Sequence, residues 1–136
     1  GVASVALRYY LVTKKQSYLD VVDDVKTGIA HKYTLNSGIS NGLAGLGSYM
    51  LDVYQFLGDE SYLDLAYNAA SGLKLFEVVR DEGVTFPDSN RSKVCADFYD
   101  GSAGVALFLE RLTKQTPNMN FMMDHIMTDF LKLNKH

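Results

Sequence analysis

Shifted against itself by 44 residues, the sequence superposes Gly1 on Gly45, Ser4 on Ser48, Leu7 on Leu51 and Tyr10 on Tyr54. The same shift lays Ser17-Tyr18-Leu19-Asp20 on Ser61-Tyr62-Leu63-Asp64 and Gly28 on Gly72, all without a gap. A second offset, of 59, lays Gly42-Leu43-Ala44-Gly45 on Gly101-Ser102-Ala103-Gly104 and Tyr62-Leu63 on Phe121-Met122. Self-similarity at a fixed period restricts a chain to arrays of one supersecondary unit. Three copies are expected, over residues 1–31, 42–76 and 101–133, with an insertion at 77–99.

The unit is helical. Leu46, Tyr49, Met50, Val53 and Leu57 recur at helical spacing, as do Tyr62, Leu65, Ala66, Ala69, Leu73 and Phe76, so each copy reads as two amphipathic helices. Between them, Gly58-Asp59-Glu60 supplies a glycine stop and then acidic residues suited to a helix N-terminus. Tyr18, Val21, Val22, Val25 and Ile29 repeat the pattern in the first copy. In the third it runs through Val105, Phe108, Leu109 and Leu112, then Met119, Met122, Met123, Ile126, Met127 and Phe130, with Thr116-Pro117-Asn118 as the turn. An all-α fold of helical hairpins is expected. In the insertion, Val78-Val79-Arg80 and Val84-Thr85-Phe86 flank Asp81-Glu82-Gly83 and suit a small β-hairpin. Insertions of this length decorate binding faces or form surface flaps.

Composition removes several functional classes. Thirteen Lys+Arg against sixteen Asp+Glu give a net charge of −3, and no basic run exceeds Lys14-Lys15, so nucleic acid is not an expected partner. No apolar stretch approaches the ~20 residues that span a bilayer, and no basic segment followed by an apolar one marks export. With Cys95 as the single cysteine, neither an internal disulfide nor a cysteine-rich zinc site can form within the chain. A cytoplasmic location is expected.

The small residues of Gly42-Leu43-Ala44-Gly45-Leu46-Gly47 and Gly101-Ser102-Ala103-Gly104 precede apolar helices. They suit tight turns with room for left-handed backbone and for close helix approach. A phosphate cradle would require a preceding strand and a following Lys, and neither is indicated.

Taken together, Ser40-Asn41-Gly42-Leu43-Ala44-Gly45-Leu46-Gly47, Leu57-Gly58-Asp59-Glu60-Ser61-Tyr62-Leu63, Phe86-Pro87 and the stretch from Asp97 to Leu112 resemble the lanthionine synthetase C-like family. The likeness is greatest to the C-terminal cyclase domain of class III lanthipeptide synthetases, which join lyase, kinase and cyclase on one chain. It implies an α/α toroid whose inner helices line a cavity, with the glycine turns at the active end. The implied reaction adds a peptide cysteine thiol to dehydroalanine or dehydrobutyrine, forming a lanthionine or labionin ring in a precursor peptide. The implied partners are that peptide and upstream lyase, kinase and cyclase segments.

Zinc-dependent members of the family carry Cys-His-Gly where this chain has Ser40-Asn41-Gly42. Serine hydroxyl and asparagine carbonyl are poor zinc ligands, and the position of the partner cysteine falls before Gly1. No metal or other cofactor is expected. His31, His125 and His136 share no metal-ligand spacing, and Cys95 reads as a small packing residue. On the resemblance, thiol activation falls to acid/base groups beside the turns. Asp97, Tyr99 and Asp100 precede Gly101 as Ser40 and Asn41 precede Gly42, which makes the first three catalytic candidates, provided burial raises a carboxyl. The alternative is helix capping by Asp97 or Asp100 with Tyr99 as packing. Ser40, Asn41, Arg80, Arg91 and Lys93 are the candidate peptide-binding residues, the basic ones reading equally as solvated charge.

Two further readings are weighed: a cyclase fold that binds precursor peptide without catalysis, and a sugar-processing toroid. The absence of Trp removes the usual sugar-stacking platform from the latter. Gly1 aligns with Gly45, the last glycine of the turn, so the chain is expected to be the last three repeats of a larger ring. Three hairpins cannot close a ring, and self-association through exposed apolar helix faces is expected.

Overall fold

The computed structural model describes residues 1–30, 37–40, 42–88, 93–94, 96–116, 118, 121 and 123–133. Helices α1 (Val2–Thr13), α2 (Gln16–Ala30), α3 (Leu43–Leu57) and α4 (Glu60–Leu73) come first, then a 3-10 turn at Lys74–Phe76. Strands β1 (Val78–Arg80) and β2 (Gly83–Thr85) follow, then helices α5 (Ser102–Lys114) and α6 (Asp124–Leu133). Among the described residues the structure is thus mostly helical, with one two-stranded antiparallel sheet. None of these helices is long and apolar enough to cross a membrane.

The helix boundaries follow the sequence offsets. Helices α1 and α3 end 44 residues apart, at Thr13 and Leu57, and α2 and α4 start 44 apart, at Gln16 and Glu60. The first residues of α3 and α5, Leu43 and Ser102, lie 59 apart. Even the stops match. Gly58 closes α3 at φ 74° and its N–H donates to the Tyr54 carbonyl; Lys14 closes α1 at φ 57° and donates to Tyr10. As the sequence indicates, Asp59 then caps α4, its carboxylate accepting from the Ser61 N–H at 3.0 Å and the Ser61 hydroxyl at 2.7 Å. This satisfies donors that a helix N-terminus otherwise leaves open.

The chain divides into two compact units, Gly1–Tyr33 with Pro117–His136, and Thr34–Thr116. In the second unit α3 packs against both α4 and α5, which also touch each other. This places α3 at the centre, and Ala44 and Gly47 to Val53 are all buried, a wider face than the amphipathic pattern implies. Tyr62, Ala66 and Leu73 of α4 and Val105, Phe108 and Leu112 of α5 complete this core. The lower half of α5 is fixed by Arg111. Its guanidinium donates to Asp52 at 2.6 Å, Gln55 at 2.9 Å, the Ser48 hydroxyl at 2.7 Å, the Ser48 carbonyl at 3.2 Å and the Thr116 carbonyl at 3.0 Å. Those five bonds use the five N–H donors a guanidinium has.

In the first unit α1 packs on α2 and α6 on α1. Arg8 of α1 grips Asp124 through two bonds, of 2.9 and 2.7 Å, and lies 3.4 Å over the Phe121 ring. This pair corrects the reading of α6. The helix begins at Asp124 rather than near Met119, and the buried Asp124 turns Met123, Ile126 and Phe130 outward, 61%, 49% and 51% exposed. Met119 and Met122 lie outside the described residues. The third helical pair is also divided, α5 belonging to the second unit and α6 to the first. Val2, Val5, Tyr9 and Val12 form an exposed apolar stripe on α1.

Left-handed backbone without a glycine carries a steric cost of roughly 1–2 kcal/mol, so Gly58→Ala should lower stability in urea titration by roughly 1 kcal/mol. Lys14→Gly should do the reverse by a few tenths of a kcal/mol, because glycine's larger unfolded-state entropy offsets part of the relief.

Candidate functional site

Both glycine turns are built alike. Gly42 and Gly101, which open α3 and α5, have φ/ψ of −129°/−167° and −113°/−164°. This is extended backbone, so the left-handed conformation anticipated for these turns is not used. Glycine is required for space instead. A Cβ on Gly45 would collide with the Ile39 carbonyl oxygen, and one on Gly104 with the Phe98 carbonyl oxygen. In both turns the blocking carbonyl lies six residues before the glycine, and the two clashes lie 59 residues apart. Gly47 makes the third close approach, its missing side chain leaving room for the Phe108 ring.

The two turns meet. The Ser40 N–H donates to the Tyr99 carbonyl at 3.0 Å, and Gly38 lies so close that a Cβ there would be 2.8 Å from that same oxygen. Ile39 is shared, its carbonyl against Gly45 and its Cγ2 3.0 Å from the Cβ position of Gly104. The donors of Ala44 and Gly45 are taken by the carbonyls of Ser37 and Gly38, at 3.1 and 3.3 Å. These first-turn N–H groups of α3 are therefore committed to the fold rather than aimed at an anion.

The insertion comes to the same end of α3 and α5. Beyond the hairpin, whose register pairs Val78 with Thr85, Val79 with Val84 and Arg80 with Gly83, Phe86 is buried. The expected hairpin is present, with Gly83 rather than Phe86 completing β2. The Phe86 N–H donates to the Ser102 hydroxyl at 2.8 Å, and the Ser37 hydroxyl donates to the Pro87 carbonyl at 3.4 Å. Pro87 is bridged to Val94, and the Asp88 N–H donates to the Lys93 carbonyl at 2.9 Å.

The structure gathers most of the candidate residues at this end. Ser40 and Asp97 are exposed, Asp100 is half-buried, and Tyr99 is 67% exposed with its ring edge-on to Phe98 at 5.2 Å. The Asp97 carboxylate accepts from the Asp100 N–H at 2.8 Å. It braces the turn rather than capping α5, whose N-cap is Gly101, and it lacks the burial that the acid/base role presupposes. Tyr99, read alternatively as packing, projects from the surface. Lys93 is exposed, with its backbone tied to Asp88. Arg80 is not brought in, because its pairing with Gly83 sets it at the hairpin tip. Asn41, Arg91, Cys95, His31 and His136 lie outside the described residues, and His125 is exposed on α6 in the other unit. Among the described residues, no three His, Cys, Asp or Glu side chains are grouped to hold a metal ion.

Sequence reasoning missed Ser37 and Ser102, whose hydroxyls join the insertion to the turns. Ser102 occupies the variable position of its Gly-x-Ala-Gly turn, where the matching turn has Leu43, and that difference is the only trace it leaves in the sequence. In comparison with known proteins, no family model matches the chain and no curated protein does.

Overpacking against backbone costs about 1–3 kcal/mol. Gly45→Ala and Gly104→Ala should therefore each lower the unfolding free energy measured by denaturant titration by roughly 2 kcal/mol, whereas Gly28→Ala, with open space at its Cβ position, should be neutral or stabilising.

Proposed function

We propose that this chain has the cyclase fold of the lanthionine synthetase C-like family, with three helical pairs of the kind that build an α/α toroid. On this reading it serves zinc-independent ring formation in a precursor peptide. The observation that carries the reading is the pair of equivalent glycine turns, joined by the Ser40 to Tyr99 hydrogen bond and opening the packed helices α3 and α5. The coincidence of helix boundaries with the two sequence offsets supports it.

The reaction joins a cysteine sulfur to the β-carbon of a dehydroamino acid while the thiol proton is lost and a proton is delivered to the α-carbon, so peptide mass is unchanged. Of the residues at this end, the half-buried Asp100 and the neighbouring Tyr99 are the groups assigned to proton transfer. Asp97 positions Asp100 through its N–H. In this reading Ser40, Asn41, Arg80, Arg91 and Lys93 are assigned to binding the peptide, Arg80 from the hairpin tip. The partners are the precursor peptide, lyase and kinase segments of a synthetase, and further copies of the chain through the α1 stripe.

A second reading, a peptide-binding module without catalysis, is favoured by the exposure of Asp97 and Tyr99. Positioned acid/base groups contribute about 10²–10⁴-fold to rate. In the full-length protein given a synthetic peptide with one cysteine and one dehydroalanine, loss of alkylatable thiol without mass change should slow about a hundredfold for Asp100→Asn. Peptide binding with ring formation equal to the protein-free rate would instead establish the module, and neither binding nor rings would refute both readings.

A further inference from the structure

Among the described residues, two side-chain hydrogen bonds hold the insertion, one beside each glycine turn. Beside α5, Ser102 accepts from the Phe86 N–H at 2.8 Å; beside α3, the buried Ser37 donates to the Pro87 carbonyl at the longer distance of 3.4 Å. Phe86 itself is only 6% exposed, so its side chain anchors the segment while the two hydroxyls fix its height and direction. The Asp88 to Lys93 bond and the bridge from Pro87 to Val94 extend the hold to both sides of the insertion. A backbone N–H in a part-buried setting needs its acceptor, since leaving such a donor unpaired costs more than the bond contributes when made. Ser102 is the acceptor here, and Ala at this position supplies none.

We propose that Ser102, assisted by Ser37, is a positioning residue that latches the Phe86–Pro87–Asp88 segment across the paired glycine turns as a fixed wall, and that this wall selects the peptide approaching Tyr99 and Asp100. The selecting role rests on the peptide-cyclase reading; the latch does not. Neither serine hydroxyl touches the reacting atoms. Both serve by keeping the segment in place, so the expected signature is weaker peptide selection with unchanged chemistry.

The test uses the full-length protein and the variants Ser102→Ala, Ser37→Ala and Ser102→Thr. In hydrogen exchange, Ser102→Ala should speed exchange about tenfold for amides of residues 78–88 while those of α3 and α4 keep their protection, consistent with the loss of one buried-donor bond. Ser102→Thr, which keeps the hydroxyl, should restore it, and Ser37→Ala should give a smaller effect in the same segment. Unchanged exchange at 78–88, or an equal rise throughout residues 37–116, would overturn the latch. With the cysteine/dehydroalanine peptide, Ser102→Ala should raise KM several-fold at constant kcat, with recovery in Ser102→Thr. A fall in kcat at constant KM would overturn the wall. If the unaltered protein forms no rings and binds no peptide, the cyclase reading and the selecting role fall together, while the exchange result still decides the latch.

Discussion

The second unit is built on the buried ion pair that joins α5 to α3. Arg111 of α5 and Asp52 of α3 have side chains only 3% and 1% exposed, with 2.6 Å between their charged atoms. Burying two charges is costly, and the pair is tolerated only where every remaining donor is satisfied. Arg111 meets that condition by binding Ser48, Gln55 and Thr116 as well. Asp52 and Arg111 stand 59 residues apart, the same offset that separates the first residues of α3 and α5.

The same interface is closed at two further levels. In the second turn of α3, Gly47 leaves room for the tip of the Phe108 ring, and at the start of both helices the glycine turns lock through Ser40, Tyr99 and Ile39. Each level excludes a different error. The ion pair fixes the register of α5 on α3, the absent side chain at Gly47 lets the axes approach, and the turn contact fixes the end that carries Asp100 and Tyr99. The insertion then rests on that end through Phe86, so the geometry of the candidate site follows from helix packing laid down a turn or more away.

Much of this was legible in the sequence and some was not, for definable reasons. The helices of residues 2–76 follow from apolar spacing, the Gly58 stop and the Asp59 cap, which are local signals. The phase of α6 was misread because Met123, Ile126 and Phe130 make a better apolar stripe than the face actually buried; Arg8 draws Asp124 inward, a contact across 116 residues of chain that periodicity cannot reveal. The glycine turns are legible, and so is the close approach they allow; the left-handed backbone also anticipated there is not used, because a glycine needed for space and one needed for backbone freedom look identical in sequence. Asp97 is a candidate on the sequence, whereas its use as a brace for the Asp100 N–H depends on a loop conformation that no spacing rule specifies. Ser37 and Ser102 left no signal because a hydroxyl becomes a latch only when a distant backbone donor or acceptor arrives beside it.

The central claim is that the Asp52–Arg111 pair sets α5 on α3 and thereby the paired turns. A double-mutant cycle on Asp52→Ala and Arg111→Ala, measured by urea unfolding, tests it most directly. Residues in one buried network couple by about 0.5–3 kcal/mol, and the five-bond geometry predicts a value in the upper half of that range. Coupling indistinguishable from zero, with the two single losses simply adding, would contradict the account.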